Sequence, residues 1–226
     1  MQQRLANQKV KYRSEFYNQI DGEYQVIRLT DGCPRNCPYC YCPTEFKKYK
    51  LPVITKTKVR IMDMNFLSVP RSDKLICDLP EKIGRKKIHY EFTSGVDYRL
   101  LTNWWAFMLK KKNFVNIRIA WDWYYKDQIE IIRALKILQG VGYKPKNIQV
   151  FMLANWKISF EECFKKLFKI NDWGVQIAQC YYDNQTMPNV EPIHWTKKEI
   201  KMFQWYCRKN NQFKRHYGID PEIFKK

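Results

Sequence analysis

Short apolar runs separated by helical patterns recur along the whole chain, and this alternation limits the fold more than any other feature. The runs begin about every 25 to 35 residues, at 24–29, 58–63, 87–93, 115–121, 147–153 and 174–179. Strands that alternate with helices are typical of βα units, whose strands pair in parallel. Six such units are too few for an eight-stranded closed TIM barrel. The sequence therefore predicts an α/β protein built on a parallel sheet.

Capping residues predict where four of the helices begin. A helix after the second predicted strand is expected to carry Leu75, Ile76, Leu79 and Ile83 on one face and to stop at Gly84. The alternative is a break at Pro80, which cannot continue the backbone hydrogen bonding. The predicted helix starts are a lone Ser72, a lone Asn103, and two capping boxes, Ser159 with Glu162 and Thr196 with Glu199.

Four cysteines fall within ten residues, directly after the first predicted strand. Cys33, Cys37 and Cys40 have C-x3-C-x2-C spacing, and Cys42 follows them. Thiolates this close together on an irregular loop can converge on one metal centre. Four-iron clusters normally take four cysteines, so three would leave one iron open for another ligand. The alternative is a structural zinc held by all four thiolates, although zinc sites usually take their cysteines as two separate pairs.

The cysteine loop resembles that of the radical S-adenosylmethionine (SAM) superfamily in its spacing, in the aromatic Tyr39 and in its place after the first strand. The resemblance implies that Cys33, Cys37 and Cys40 hold a [4Fe-4S] cluster whose open iron binds SAM. It also implies a partial, open (βα)6 TIM-like barrel and an electron donor such as flavodoxin or ferredoxin. The implied activity is reductive cleavage of SAM to a 5'-deoxyadenosyl radical that abstracts hydrogen from a substrate. Cys42 lies outside the family spacing and is left out of the predicted ligand set.

Polar residues after the predicted strands are the candidate SAM contacts, because active sites of parallel α/β folds lie at the carboxyl ends of strands. Asp63-Met64-Asn65-Phe66 resembles an Asp-x-Asn-Phe variant of some family members, and its carboxylate and amide oxygen can accept from the SAM ammonium group. By the same resemblance, Tyr39 packs near the adenine. Turn or cap roles are the alternative for the polar candidates. The predicted contacts are Tyr39, Asp63, Asn65, Ser94, Asp97, Arg99, Asp122 and Asn155.

Cys180 follows the sixth predicted strand and is the candidate catalytic residue. An S–H bond is weak enough to donate hydrogen to a carbon radical, and some radical SAM enzymes use a cysteine in this way. The alternative is ordinary burial, since free cysteines are among the most often buried residues.

The charge of the chain bears on its partners. It has 41 Lys and Arg against 22 Asp and Glu, a formal net charge of +19, which favours contact with polyanions. A nucleobase in DNA or RNA is therefore one candidate substrate, and a compositional bias toward Lys, Asn, Ile and Tyr is the alternative explanation of the charge. Two other interpretations stay open: radical modification or activation of a peptide or protein, and a non-enzymatic zinc module that binds nucleic acid.

The length of 226 residues is consistent with one domain. We expect an N-terminal arm at 1–22, a radical SAM core at 23–195, and a C-terminal helix with a basic tail at 196–226. The sequence has no apolar run of about 18 residues, no signal-peptide core and no secreted disulfide pattern. We therefore expect a cytoplasmic monomer without membrane contact.

Overall fold

The computed structural model describes residues 18–40, 42–181 and 195–212, and the remainder of the predicted arm and of the basic tail lies outside this range. The strands are Asn18–Asp21 (β1), Tyr24–Ile27 (β2), Thr30–Asp31 (β3), Lys47–Lys48 (β4), Lys58–Ile61 (β5), Lys82–Ile83 (β6), Lys86–Lys87 (β7), His89–Phe92 (β8), Ile117–Ala120 (β9), Ile148–Ala154 (β10) and Gln176–Tyr181 (β11). The helices are Ser72–Asp78 (α1), Asn103–Lys111 (α2), Gln128–Gly140 (α3), Phe160–Asp172 (α4) and Lys197–Gln212 (α5).

The chain forms a mixed α/β fold, as the sequence predicts, with its six main strands parallel and in chain order. β2, β5 and β8 pair in parallel in one sheet, and β9, β10 and β11 pair in parallel in a second. Two isolated parallel bridges, Tyr90 to Phe114 and Val96 to Ile119, link the two sheets. Within the described residues this series of strands does not close into a barrel. The carboxyl ends of β5, β8 and β9 therefore lie side by side at one edge.

Side chains alternate between the two faces of these strands, as the geometry of a strand requires. One face carries buried apolar residues that belong to the main hydrophobic core, and the helices pack their own apolar side chains onto it. The opposite face is more polar and borders a cavity that is described below. Core residues from the strands include Ile61, Tyr90, Ile119 and Val150, and those from the helices include Ile76, Leu109, Leu135 and Leu167.

Two of the four predicted helix caps form, and two do not. Ser159 Oγ accepts from the backbone N–H of Glu162 at 3.2 Å, and Thr196 Oγ1 accepts from that of Glu199 at 3.2 Å. Helix α2 is instead capped by Thr102, whose hydroxyl accepts from the N–H of Trp105 at 3.3 Å, so the prediction of Asn103 as the cap was wrong by one residue.

Helix α1 differs more from its prediction. Ser72 is its first residue rather than its cap, and Arg71 precedes it in the left-handed conformation with φ of +61°. The helix ends at Asp78, two residues before Pro80, so Ile83 belongs to the β6–β7 hairpin and not to a helical face. Among the helices of the described residues, none is long and apolar enough to cross a membrane.

Candidate active site

The cysteine loop is anchored by backbone contacts on both sides. β3 pairs with β4 in antiparallel fashion, and the N–H of Cys33 donates to the carbonyl of Pro43 at 2.8 Å. Gly32 has φ of +97°, and a Cβ on it would overlap the carbonyl oxygen of Glu45. Only glycine fits this turn without displacing backbone. The chain after β2 thus folds back on itself, and these backbone contacts hold the loop that carries the cysteines.

Asp63 helps to hold the backbone that supports the cysteine loop and does not line the cavity described below. Its side chain is fully buried, and its carboxylate accepts from the N–H of Leu29 at 2.8 Å and from the hydroxyl of Thr30 at 2.6 Å. Burial raises the pKa of Asp63 to about 7, although these hydrogen bonds favour the ionised form. Asp63 was predicted as a SAM contact. In the structure it joins the end of β5 to the segment that leads into the cysteine loop.

A cavity of about 180 Å³ lies between the cysteine loop and the carboxyl ends of β5, β8 and β9. It brings together nine of the twelve predicted site residues, which come from segments far apart in the chain. Those nine are Cys33, Cys37, Cys40, Tyr39, Asn65, Ser94, Asp97, Arg99 and Asp122.

Asn65 connects the cysteines to the polar wall of this cavity. Its Nδ2 lies 3.4 Å from Cys33 Sγ and 3.3 Å from an oxygen of Asp97. The residue is 7% exposed, and its Oδ1 is buried without a hydrogen-bond partner among the described residues. A buried acceptor without a partner costs free energy unless a ligand satisfies it. Asn65 is therefore suited to accept a hydrogen bond from a ligand that enters the cavity.

Asp97 forms ion pairs with two arginines at the cavity wall. Its carboxylate oxygens lie 2.7 Å from Arg35 Nε and 2.8 Å from Arg99 Nε. Burial opposes ionisation of Asp97, but the hydrogen bonds from Arg99 and Arg35 outweigh it and lower its pKa. Arg35 lies between the first two cysteines and was not predicted, since nothing in the spacing singles it out. The trio leaves one net positive charge beside the thiols, which suits a carboxylate ligand.

Tyr39 packs the loop onto the far side of the cavity. Its ring centroid lies 5.4 Å from that of Trp123 and 5.7 Å from that of Trp156, and its hydroxyl donates to Asp122 at 3.3 Å. Burial raises the pKa of Asp122 to about 6, while nearby Lys166 favours its ionised form. The aromatic position of the motif thus fixes the loop to the segments after β9 and β10.

Lys166 of α4 is a buried positioning residue that the sequence did not reveal. Its side chain has no exposed surface, and its Nζ donates to the carbonyl of Trp121 at 3.1 Å and to that of Trp123. Burial lowers its pKa. A lysine on an otherwise apolar helix face is the only signal of such a role. It holds the backbone on both sides of Asp122.

Two predicted residues lie outside this cavity, as does Asp63. Asn155 has a left-handed backbone with φ of +61°, and its Oδ1 accepts from the N–H of Trp195 at 2.9 Å. Cys180 is exposed on β11, opposite Leu153 of β10 and on the same face of the strand as Ala178. Ser94 does line the cavity, where its hydroxyl lies 3.6 Å from the sulfur of Met64.

The donors at the site are thiols with amide, carboxylate and guanidinium groups around them. Within the described ranges no group of three or more His, Cys, Asp or Glu side chains has an arrangement that could hold a single metal ion. The three thiols nevertheless line one cavity, and burial raises the pKa of Cys37. A bound metal centre would supply the positive charge that favours the thiolate. Thiolates are the ligands of iron–sulfur clusters, so this donor set fits such a group.

Comparison of the chain with models of protein families and with curated proteins gives no match. The assignment of a function therefore depends on the residues and geometry described above.

Proposed function

We propose that this chain is a radical SAM enzyme, in which Cys33, Cys37 and Cys40 hold a [4Fe-4S] cluster and the cavity beside them takes part of SAM, including its ammonium and carboxylate groups. The observation that carries the proposal is the meeting of these three thiols with Asn65 and the Asp97–arginine group in one cavity. On this proposal the six parallel strands form the partial (βα)6 barrel of that superfamily. The cluster and SAM, when bound, supply the 5'-deoxyadenosyl radical.

The residues of the cavity match the polar groups of SAM. The Oδ1 of Asn65 accepts from the SAM ammonium group, since this oxygen is buried and no other described residue donates to it. Arg35 and Arg99 face the carboxylate of SAM, while Asp97 holds both guanidinium groups in place. Tyr39 and Trp123 line the cavity and form an aromatic wall that suits the adenine, and Trp156 packs against Tyr39.

Metal analysis of single-cysteine variants tests the ligand set. We expect the anaerobically reconstituted protein to hold about four iron and four sulfide per chain, and Cys33→Ala, Cys37→Ala or Cys40→Ala to lose most of both. Cys42→Ala is the matched control, because Cys42 is 1% exposed and lies next to Cys40 but is outside the proposed set. A zinc site of four thiolates would instead give about one zinc per chain and would be lost in all four variants.

A nucleobase in DNA or RNA is the substrate class that the net charge of +19 favours. Binding dominated by phosphate contacts weakens steeply with salt. We expect an oligonucleotide to bind the reconstituted protein with an affinity that falls about tenfold or more between roughly 50 and 200 mM salt, as for several phosphate contacts. Binding that is absent, or that does not depend on salt, would favour a peptide or protein substrate.

A further inference from the structure

A second and larger cavity, of about 620 Å³, lies against the polar face of the parallel strands. Its volume is in the range of small-molecule sites, which is about 300 to 1,000 Å³. Arg60, Glu91, Arg118 and Gln149 come from four neighbouring strands, β5, β8, β9 and β10, and line it together. Packed sheets normally fill such a face with apolar side chains, so four adjacent polar residues are an unusual lining.

The two arginines of this lining are paired unequally. Arg118 donates to Gln149 Oε1 at 3.1 Å, to the carbonyl of Phe92 at 2.7 Å and to Glu91, so each of its three nitrogens already has an acceptor. Glu91 also lies 3.8 Å from Arg60 Nε. Two arginines thus share one glutamate, and Arg60 makes the longer contact with it. The other acidic residue of the cavity, Asp21, is exposed on the edge strand β1 and brings the lining to two arginines and two acidic residues.

Arg60 has donors available for a ligand. Its guanidinium stacks over the ring of Tyr24 at 3.7 Å, which holds it in place, and its side chain is 36% exposed. In the part of the chain that the structure describes, its terminal nitrogens donate no hydrogen bond, and neither does Nε2 of Gln149. A planar guanidinium with free nitrogens is suited to bind a phosphate or carboxylate with two parallel hydrogen bonds.

The rest of the lining is mainly apolar and includes Val26, Met62, Phe151 and Ala178. We infer that this cavity binds a small molecule that has an oxyanion group, a phosphate or a carboxylate, on an apolar or planar body. Arg60 binds the oxyanion, and the body packs against Phe151 and Ala178 on the side of the cavity where Gln149 lies. As a binding site this stands apart from the function proposed above.

The cavity is adjacent to the one that holds the cysteines. Gly95 lines the cysteine cavity, and a Cβ on it would lie 3.2 Å from the ring of Phe151 and 3.3 Å from the carbonyl of Arg118, which both line the larger cavity. Gly95 of the cysteine cavity thus packs directly against two residues of the larger cavity. A role of this small molecule as the substrate would depend on the proposed function, whereas its binding does not.

Calorimetric titration of the full chain with sodium phosphate and with sodium acetate at low ionic strength tests the oxyanion site. We expect one site for at least one of the two anions, and the anion that binds more tightly identifies the class. Arg60→Gln should weaken this binding about tenfold or more, because it removes a charge-assisted pair of hydrogen bonds. Arg85→Gln, an equal loss of charge at an exposed position of the β6–β7 hairpin, should leave it unchanged.

Binding of neither anion by the wild-type protein, or equal weakening by the two variants, would overturn the assignment.

Ala178→Leu tests where the body lies, because the larger side chain fills the cavity away from Arg60. We expect it to weaken thymidine 5'-monophosphate, used as a probe, relative to inorganic phosphate; an equal effect on both, or on neither, would show that the body is not held there. Circular dichroism confirms that each variant is folded. The titrations need no SAM cleavage, so their outcome and that of the proposed function can differ.

Discussion

At the scale of single residues, substitution of Asn65 has the clearest predicted effect on the affinity for SAM. Its Oδ1 is a buried acceptor to which no described residue donates, beside the thiol of Cys33. We expect Asn65→Ala to lower the affinity of the reconstituted protein for SAM about tenfold, as for the loss of a hydrogen bond to a charged group. Equilibrium dialysis with labelled SAM measures this. Asn147→Ala, at an exposed position in the turn before β10, is the control, and an unchanged affinity in Asn65→Ala would contradict the assigned contact.

Asp63 gives a prediction about pH and stability. Its folded-state pKa is raised to about 7, above the ordinary value of 3.8, because it is buried. The folded state therefore holds a proton that the unfolded state releases, and stability falls as pH rises between about 4 and 7. For one proton the slope approaches about 1.4 kcal/mol per pH unit.

Asp63→Asn should remove this slope, since an amide does not titrate and its oxygen can still accept from Leu29. Urea unfolding of the wild type and the variant at several pH values between about 4.5 and 7 measures the difference in the free energy of unfolding. Parallel curves for the two proteins would mean that Asp63 does not titrate in this range.

The sequence identified most residues of the candidate site, and the exceptions have physical reasons. The rule that polar residues at strand ends share one edge explains why Asn65, Asp97 and Asp122 meet. The rule cannot say which way a side chain turns, so it did not separate Asp63, which turns toward Leu29, from Asn65. Arg35 was missed because its role comes only from a contact with Asp97, 62 residues away.

At the scale of elements, the pairing of β3 with β4 holds the cysteine loop, and Gly32, directly after β3, is the described glycine with the closest approach to other backbone. Gly32→Ala would place a methyl group onto the backbone of Glu45 at a φ of +97°. Gly22→Ala is a matched control, since Gly22 also has a positive φ, of +55°, but its added methyl group would meet no atom of the described residues within 4 Å. A left-handed alanine alone costs about 1 to 2 kcal/mol.

We therefore expect Gly32→Ala to lower the free energy of unfolding by at least about 2 kcal/mol more than Gly22→Ala does, and to reduce iron incorporation as well. Denaturant unfolding and iron analysis of the two variants measure these effects. Similar losses in both variants would show that the close approach to Glu45 does not constrain the loop.

Elements with strong periodicity were predicted better than short ones. The six parallel strands overlap the predicted apolar runs, because alternate residues of each strand are buried in the core. β1 was not predicted, since all four of its residues are exposed and show no alternation. β6 was not predicted for another reason: Ile83 was assigned to the apolar face of a helix, although Pro80 prevents that helix from extending.

At the scale of the whole molecule, the parallel strands border two cavities with different linings. The core lies on the helix-covered face, the cysteine cavity lies at the carboxyl ends of the strands, and the arginine-lined cavity lies on the opposite face. The alternation of strands and helices predicted the α/β class and the position of the cysteines. It could not predict the second cavity, because Arg60, Glu91 and Arg118 meet only through strand pairing that no local pattern records.

The formation of 5'-deoxyadenosine from SAM is the measurement that tests the central claim most directly. The full chain is reconstituted with iron and sulfide under anaerobic conditions, incubated with SAM and dithionite, and the products are separated by liquid chromatography and mass spectrometry. We predict that the wild type forms 5'-deoxyadenosine and methionine and that Cys37→Ala forms neither above the level without protein. A wild-type protein that holds its iron and sulfide but forms no 5'-deoxyadenosine, or a Cys37→Ala protein that forms as much, would contradict the account.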